Sequence, residues 1–344
     1  MRFGVLTGGG DCPGLNAAVR AIVRGAVAGG HDVIGIRDGW RGLAERTTLA
    51  LDRRAVAGIL PRGGTILGTS SYNCFREERG VELLTEALAE LGLDGVVAIG
   101  GEGTLGIAQR LHAEVGVAVV GVPKTIDNDI GGTDVTIGFD TAVHVCTEAI
   151  DRLHTTAESH NRVMVVEVMG RNTGWIAAAS GIAGGADVIL VPEVPMAIED
   201  VADHVTARQE EGKDFSIVVV AEGYGLTRRS GERDAPVVRE LDEYGYARLG
   251  GVAQVVADEI ERLTGFDTRV TVLGHVQRGG TPTARDRFLA TRLGLHAAEL
   301  ADRGAWGRMA AVRGNEIVDV PLSDAIDARR DVPRAWIDAG RVVA

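Results

Sequence analysis

The chain has 344 residues, 45% of them hydrophobic and 24% charged, an ordinary composition for one large or two medium folded domains. Its formal net charge of −12 argues against nonspecific binding to nucleic acid or anionic membranes, so a phosphate ligand would need positive groups gathered locally. Cys12, Cys74 and Cys146 lack metal-type spacing and point to a reducing, cytoplasmic setting, with no signal peptide or membrane span expected.

In chain order, residues 3–6 read as a strand and 14–28 as a helix, joined by Gly8-Gly9-Gly10-Asp11-Cys12-Pro13. A strand at 32–36 follows, then a glycine-rich loop at 63–69 and a helix at 78–91. The strand at 95–99 runs into Gly100-Gly101-Glu102-Gly103-Thr104 and a helix through Leu111. The apolar run 117–121 leads to Pro123-Lys124-Thr125-Ile126-Asp127-Asn128-Asp129. Beyond it, helices are expected at 142–156, 174–182, 198–210, 249–263 and 283–301, and strands at 162–169, 187–191, 215–221 and 269–273. This alternation is the pattern of right-handed βαβ crossovers and parallel sheets. With 48 glycines and 4% aromatics, tight strand–loop–helix junctions are expected. Residues 227–236 are the most linker-like.

The loop 123–129 concentrates Lys, Thr, Asp, Asn and Asp directly after a core strand, where open α/β sheets bind ligands. Asp127 and Asp129 can face one pocket, one as a base and the other beside a cation; a polar turn with an Asx cap is the plain alternative. Two further loops share the order strand, glycine pair, acid, helix. Their glycines let the backbone approach an anion, and the helix N-terminus offers free N–H groups. The first is not a dinucleotide fingerprint, which would need glycine at Pro13. There is no Walker A loop either, since Gly212-Lys213 is followed by Asp214. Basic residues stand at strand ends: Arg162, Arg171 after Met169-Gly170, Arg269, and Arg278 within His275-Val276-Gln277-Arg278. Arginine there suits bidentate phosphate recognition; Glu222 is another acid at a strand end. Acids for metal and base work, glycine loops for one phosphate and arginines for another sum to a phosphoryl-transfer site.

These residues resemble the ATP/pyrophosphate-dependent 6-phosphofructokinases nearly end to end, within a mixed-substrate group similar to actinobacterial enzymes. The likeness rests on Gly9-Gly10-Asp11-Cys12-Pro13-Gly14, residues 100–104 and 123–129, Ser159-His160-Asn161-Arg162, Val168-Met169-Gly170-Arg171, Glu222 and 274–280. It implies two doubly wound α/β domains, 1–138 with about 251–303 and 139–250 with about 304–344, and the active site between them. It implies transfer from ATP to the 1-hydroxyl of fructose 6-phosphate, with Asp127 as base and Gly10, Thr125 and Arg171 also catalytic. Glu102 and Asp129 would serve Mg²⁺; Gly10, Gly101, Glu102, Gly103, Thr104 and Lys124 would hold the donor. Thr125, Ile126, Asp127, Arg162, Met169, Gly170, Arg171, Glu222, Arg269, His275, Val276, Gln277 and Arg278 would hold the sugar phosphate. Arg162 and Arg269 would reach a neighbouring subunit's substrate, which implies a homodimer or homotetramer.

Ser71 stands where relatives usually carry an arginine on the transferring phosphate, with Arg76 nearby, and Asn172 stands where close relatives often have His. A pyrophosphate-dependent enzyme, a related sugar phosphate as acceptor and a non-catalytic sugar-phosphate sensor remain open alternatives. Gly103 accompanies ATP use in the family, whereas Lys124 is common in its pyrophosphate users. A carboxylate at position 103 would exclude a nucleotide outright, while a lysine can turn aside, so ATP is expected as donor. An effector pocket of bacterial relatives is matched at Arg20, Arg24, Arg53 and Lys213, with His154 replacing an arginine.

Overall fold

The computed structural model describes residues 1–241 and 247–343, and the chain divides into two units. The first is Met1–Thr141 with Arg278–Arg330, the second Ala142–Gln277 with Asp331–Ala344. Strands β1 (Arg2–Thr7), β2 (Asp32–Ile36), β3 (Thr48–Leu51), β4 (Gly95–Gly100) and β5 (Val119–Pro123) open the first unit. Strands β6 (Val163–Val168), β7 (Val188–Leu190), β8 (Ser216–Ala221), β9 (Val238–Leu241), β10 (Ala247–Leu249) and β11 (Thr268–Val272) belong to the second. β12 (Arg308–Arg313) and β13 (Glu316–Pro321) return to the first.

Among the described residues the first unit holds a seven-stranded sheet in the order β13-β12-β5-β4-β1-β2-β3. Its interior strands are parallel, and an antiparallel strand closes each edge, β3 on β2 and β13 on β12. The second unit has the all-parallel sheet β11-β6-β8-β7, and β9 pairs antiparallel with β10. Every residue of β4, β5, β6 and β8 is buried. Such unbroken apolar runs suit parallel strands covered on both faces.

The helices are α1 (Leu15–Ala28), α2 (Gly39–Ala44), α3 (Gly80–Glu90), α4 (Glu102–Arg110), α5 (Phe139–His160) and α6 (Trp175–Ala183). They continue with α7 (Ile198–Glu210), α8 (Val252–Thr264), α9 (Ala284–Asp302), α10 (Asp324–Asp327) and α11 (Arg334–Val343). In the first unit, α1 and α9 cross closely because small residues meet: a Cβ on Gly25 would lie 3.0 Å from the Ala298 Cβ. The first unit's core runs from Leu6 and Ile36 through Val96 and Leu105 to Met309 and Leu322. The second unit's core joins Val165, Leu190, Val218, Val256 and Ile260.

The fold is the expected α/β architecture of parallel sheets, with three differences in detail. The strand expected at 117–121 lies two residues later, so Lys124 follows it directly. The segment 251–277, assigned to the first domain from the sequence, falls in the second unit because β11 pairs with β6. Residues 304–330 fall in the first unit because β12 pairs with β5. The linker-like stretch 227–236 is an ordered turn, with Arg228 N–H donating to Glu232 O and Asp234 N–H to Leu226 O, both at 2.8 Å.

Candidate active site

In the first unit the loops after β1, β4 and β5 are bonded to one another. Gly8 N–H donates to Ile99 O and Lys124 N–H to Gly100 O, each at 3.0 Å. β1 lies between β4 and β2, so the chain reverses direction across the sheet there, the switch point at which such sheets bind ligands. Close packing demands glycine at Gly8, where a Cβ would fall 2.5 Å from Thr104 Oγ1. Thr104 is consequently only 5% exposed and braces the loops from within. Arg278 closes over Gly10, where a Cβ would meet its Nη1 at 2.6 Å, and the same nitrogen donates to Asp11 O at 3.3 Å. The loop 64–75 joins them: Gly9 N–H donates to Ser70 O at 3.0 Å, and the Thr69 hydroxyl donates to Gly9 O. Ser71 is therefore the next residue after the contact with the glycine loop.

Lys124 is 2% exposed, and its Nζ donates to Gly8 O at 3.0 Å and to Gly10 O. Burial pushes its pKa below the usual lysine range, and the Arg278 guanidinium adds to this. Beyond it, Asn128 takes a left-handed conformation (φ 54°) and accepts Thr136 N–H at 3.0 Å on Oδ1. That turn separates Asp127 from Asp129, both half-buried. Asp129 is pushed up to about 7, first by burial and then by the Asp127 and Glu102 carboxylates. Glu102 and Gly103 lie exposed in the first turn of α4. A Cβ on Gly103 would meet nothing within 4 Å.

Among the described residues no cluster of three or more His, Cys, Asp or Glu is arranged to hold a metal ion. The donors that do gather are hard carboxylate oxygens carrying mutual repulsion. Mg²⁺ commonly binds through one or two carboxylates, with substrate phosphates and water completing its shell, so Glu102 and Asp129 fit it.

In the second unit the loops after β6, β8 and β11 are likewise knitted together. Glu222 N–H donates to Val168 O at 2.9 Å, Gly223 N–H to Gly170 O at 3.0 Å, and Leu273 N–H to Glu167 O at 3.1 Å. Arg171, Asn172, His275 and Val276 are exposed, and Met169 and Glu222 half-buried. Arg162 and Arg269 converge on one carboxylate. Arg162 Nε donates to Asp267 Oδ2 at 2.5 Å and Arg269 Nη1 to Asp267 Oδ1, which holds Asp267 below the usual carboxylate range. The parallel register sets this up by placing Thr268 beside Val163.

Two expected binding residues have no exposed side chain. Ile126 and Gln277 are 0% exposed, so their side chains belong to the interior and not to a binding surface. The Gln277 amide is instead hydrogen-bonded within its own unit. The reading from sequence also missed Asp267, whose adjacency to Arg269 was visible but whose reach to Arg162 required the β6–β11 pairing. His154, matched to an effector arginine, donates from Nε2 to Gly184 O at 2.7 Å.

Carboxylates set beside glycine loops that admit an anion are the equipment of a phosphotransferase. The likeness to known proteins agrees. The phosphofructokinase family pattern matches residues 2–301. The chain is 56% identical over 329 residues to a pyrophosphate–fructose 6-phosphate 1-phosphotransferase of Streptomyces coelicolor, covering 94% of both chains. It is 54% identical over 336 residues to an ATP-dependent 6-phosphofructokinase 3 of the same organism, covering 97% of both. Among solved structures, phosphofructokinase from Saccharomyces cerevisiae matches with a TM-score of 0.81 at 34% identity, over 95% of this chain and 45% of that one. The chain belongs to the phosphofructokinase family, and it is an enzyme. Among the described residues no helix is long and apolar enough to cross a membrane.

Proposed function

We propose that the enzyme transfers the terminal phosphoryl group of ATP to the 1-hydroxyl of fructose 6-phosphate, giving fructose 1,6-bisphosphate in the glycolytic direction. Asp127 accepts the hydroxyl proton as the sugar oxygen attacks phosphorus, and the bond to the leaving ADP oxygen breaks. A positioned carboxylate is a usual general base for such a proton transfer. Glu102 and Asp129 would hold Mg²⁺, which would supply charge neutralisation at the donor phosphates. Gly10, Gly101, Gly103 and Thr104 shape the donor loops, and Thr125, Met169, Gly170, Arg171, Glu222, His275 and Arg278 hold the sugar phosphate. Arg162 and Arg269 serve a neighbouring subunit, in a cytoplasmic homodimer or homotetramer.

The observation that carries the choice of donor is the open space at Gly103, where no side chain crowds the first turn of α4. The buried position of Lys124 supports the same choice, because its ammonium is spent on main-chain oxygens. Pyrophosphate as donor is the second reading, favoured by the name of the 56% identical relative. A coupled assay crossing MgATP and Mg-pyrophosphate with a panel of sugar phosphates tests both. The highest kcat/KM should fall on ATP with fructose 6-phosphate, and efficient turnover with pyrophosphate alone would reverse the assignment of the donor.

A further inference from the structure

Gln277 is fully buried at the meeting of three segments of the second unit. Its Oε1 accepts the Met169 main-chain N–H at 3.1 Å and the Cys146 thiol at 3.0 Å, while its Nε2 donates to Gly274 O at 3.0 Å. Only this orientation of the amide satisfies all three partners. Reversed, its NH₂ would face two donors and its oxygen would face a carbonyl oxygen. Cys146, on α5, is equally buried, and burial pushes its thiol up so that it stays protonated and able to donate.

The bonds lie beyond the reach of the sheet. The β6–β11 register ends with Val272 opposite Glu167, and the last main-chain bond there is Leu273 N–H to Glu167 O. Past that point the chains diverge, one into Met169-Gly170-Arg171 and the other into Gly274-His275-Val276-Gln277. The Gln277 side chain is the direct hydrogen-bonded link between Met169 and Gly274.

We propose that Gln277, seated on Cys146, is a positioning residue that sets the spacing between the loop at 169–171 and the turn at 274–277, so that Arg171 and His275 meet one sugar phosphate already in place. This rests on the proposal that these two loops bind the sugar phosphate. A side chain with no exposed surface cannot touch that ligand, yet it fixes both main chains that carry the groups which do. Preset geometry lowers the cost of ordering on binding, so loss of the clasp appears in sugar-phosphate affinity and not in donor affinity.

The test is steady-state kinetics and thermal melting of the whole chain carrying Gln277→Met, Cys146→Ala, Cys146→Ser or Arg171→Ala, with fructose 6-phosphate and MgATP varied separately. Gln277→Met keeps the volume but removes every hydrogen bond. It should raise KM for fructose 6-phosphate by about tenfold to hundredfold, the scale of a misplaced binding group, and leave KM for ATP within about twofold. Cys146→Ala should shift the same constant in the same direction by less, and Cys146→Ser, which keeps a donor, should return it toward the wild-type value. The Met169 amide should exchange with solvent faster in Gln277→Met and in Cys146→Ala while the β6 amides stay protected. If Gln277→Met does not fold, the Cys146 pair and the Met169 amide decide the matter: equal KM and equal exchange in Cys146→Ala and wild type overturn the proposal. Equal loss of affinity for both substrates would also overturn it, as that is the mark of a purely structural role. Arg171→Ala separates the two readings. Unchanged KM for fructose 6-phosphate in that variant defeats the sugar-phosphate assignment itself. A raised KM there beside an unchanged one in Gln277→Met defeats only the clasp.

Discussion

Lys124 and Gly8 are joined by a 3.0 Å hydrogen bond from the ammonium nitrogen to the main-chain oxygen, with the lysine almost wholly removed from solvent. Gly10 O is a second acceptor of the same group. An ammonium buried this way holds the glycine loop in shape, and its removal strands two carbonyl oxygens. Lys124→Met preserves the stem and deletes the donor. It should lower stability by about 1–3 kcal/mol, the cost of leaving a buried polar group unpaired, and reduce kcat/KM for the donor. Denaturant melts together with donor kinetics check this; a variant as stable as wild type would show that the tie carries no weight.

Replacing Asp127 by Asn should cut kcat by about 10²–10⁴, the usual worth of a positioned base, with little change in sugar-phosphate affinity. Binding of fructose 6-phosphate followed by calorimetry beside turnover separates the two effects. A loss of turnover smaller than about tenfold would remove Asp127 from the role of base.

Gly103→Asp tests the donor. A Cβ there meets nothing within 4 Å, so a loss at unchanged melting temperature would reflect repulsion of the donor phosphates. ATP turnover should fall steeply at unchanged melting temperature. Wild-type ATP kinetics in the variant would mean that position 103 does not face the nucleotide.

Asp129 is held near 7 by burial first and by Asp127 next. Its value in the fold lies above that in the unfolded chain, so its protonated form favours folding below about pH 4, and this contribution is lost as pH rises through about 7. Only the carboxylate binds a cation, so Mg²⁺ opposes that loss and releases a proton. The rise in melting temperature on adding Mg²⁺ should therefore be larger at about pH 8 than at about pH 6, and Asp129→Asn should erase the difference. Equal Mg²⁺ shifts at both pH values would take Asp129 out of the metal site.

Arg162 and Arg269 share the Asp267 carboxylate, and they are proposed to serve a neighbouring subunit's substrate. Mixing inactive Arg162→Ala and Asp127→Asn chains and reassembling them should recover activity, because some hybrids contain one intact site. No recovery above either parent would confine each site to its own chain.

The alternation of strands and helices was legible because buried parallel strands read as unbroken apolar runs, as in Val163–Val168 and Ser216–Ala221. The glycine loops of the candidate site were legible because glycines, acids and a lysine gather where such runs stop. Edge strands were not: Thr48–Leu51 and Glu316–Pro321 are largely exposed or half-buried and show no such run. The division into units was misjudged for a related reason, since nothing local says that Thr268–Val272 pairs with Val163–Val168.

The sequence by itself thus determined the fold class and pointed to the strand-end loops as the candidate site, because local periodicity and residue type carry that information. The tertiary structure alone decided that Lys124 spends its charge on Gly8, 116 positions away, and that Ile126 turns inward. It also decided that Gln277 bonds across to Met169, 108 positions away. Which partner a buried polar side chain finds depends on how distant segments close onto one another, and no local pattern encodes that closure.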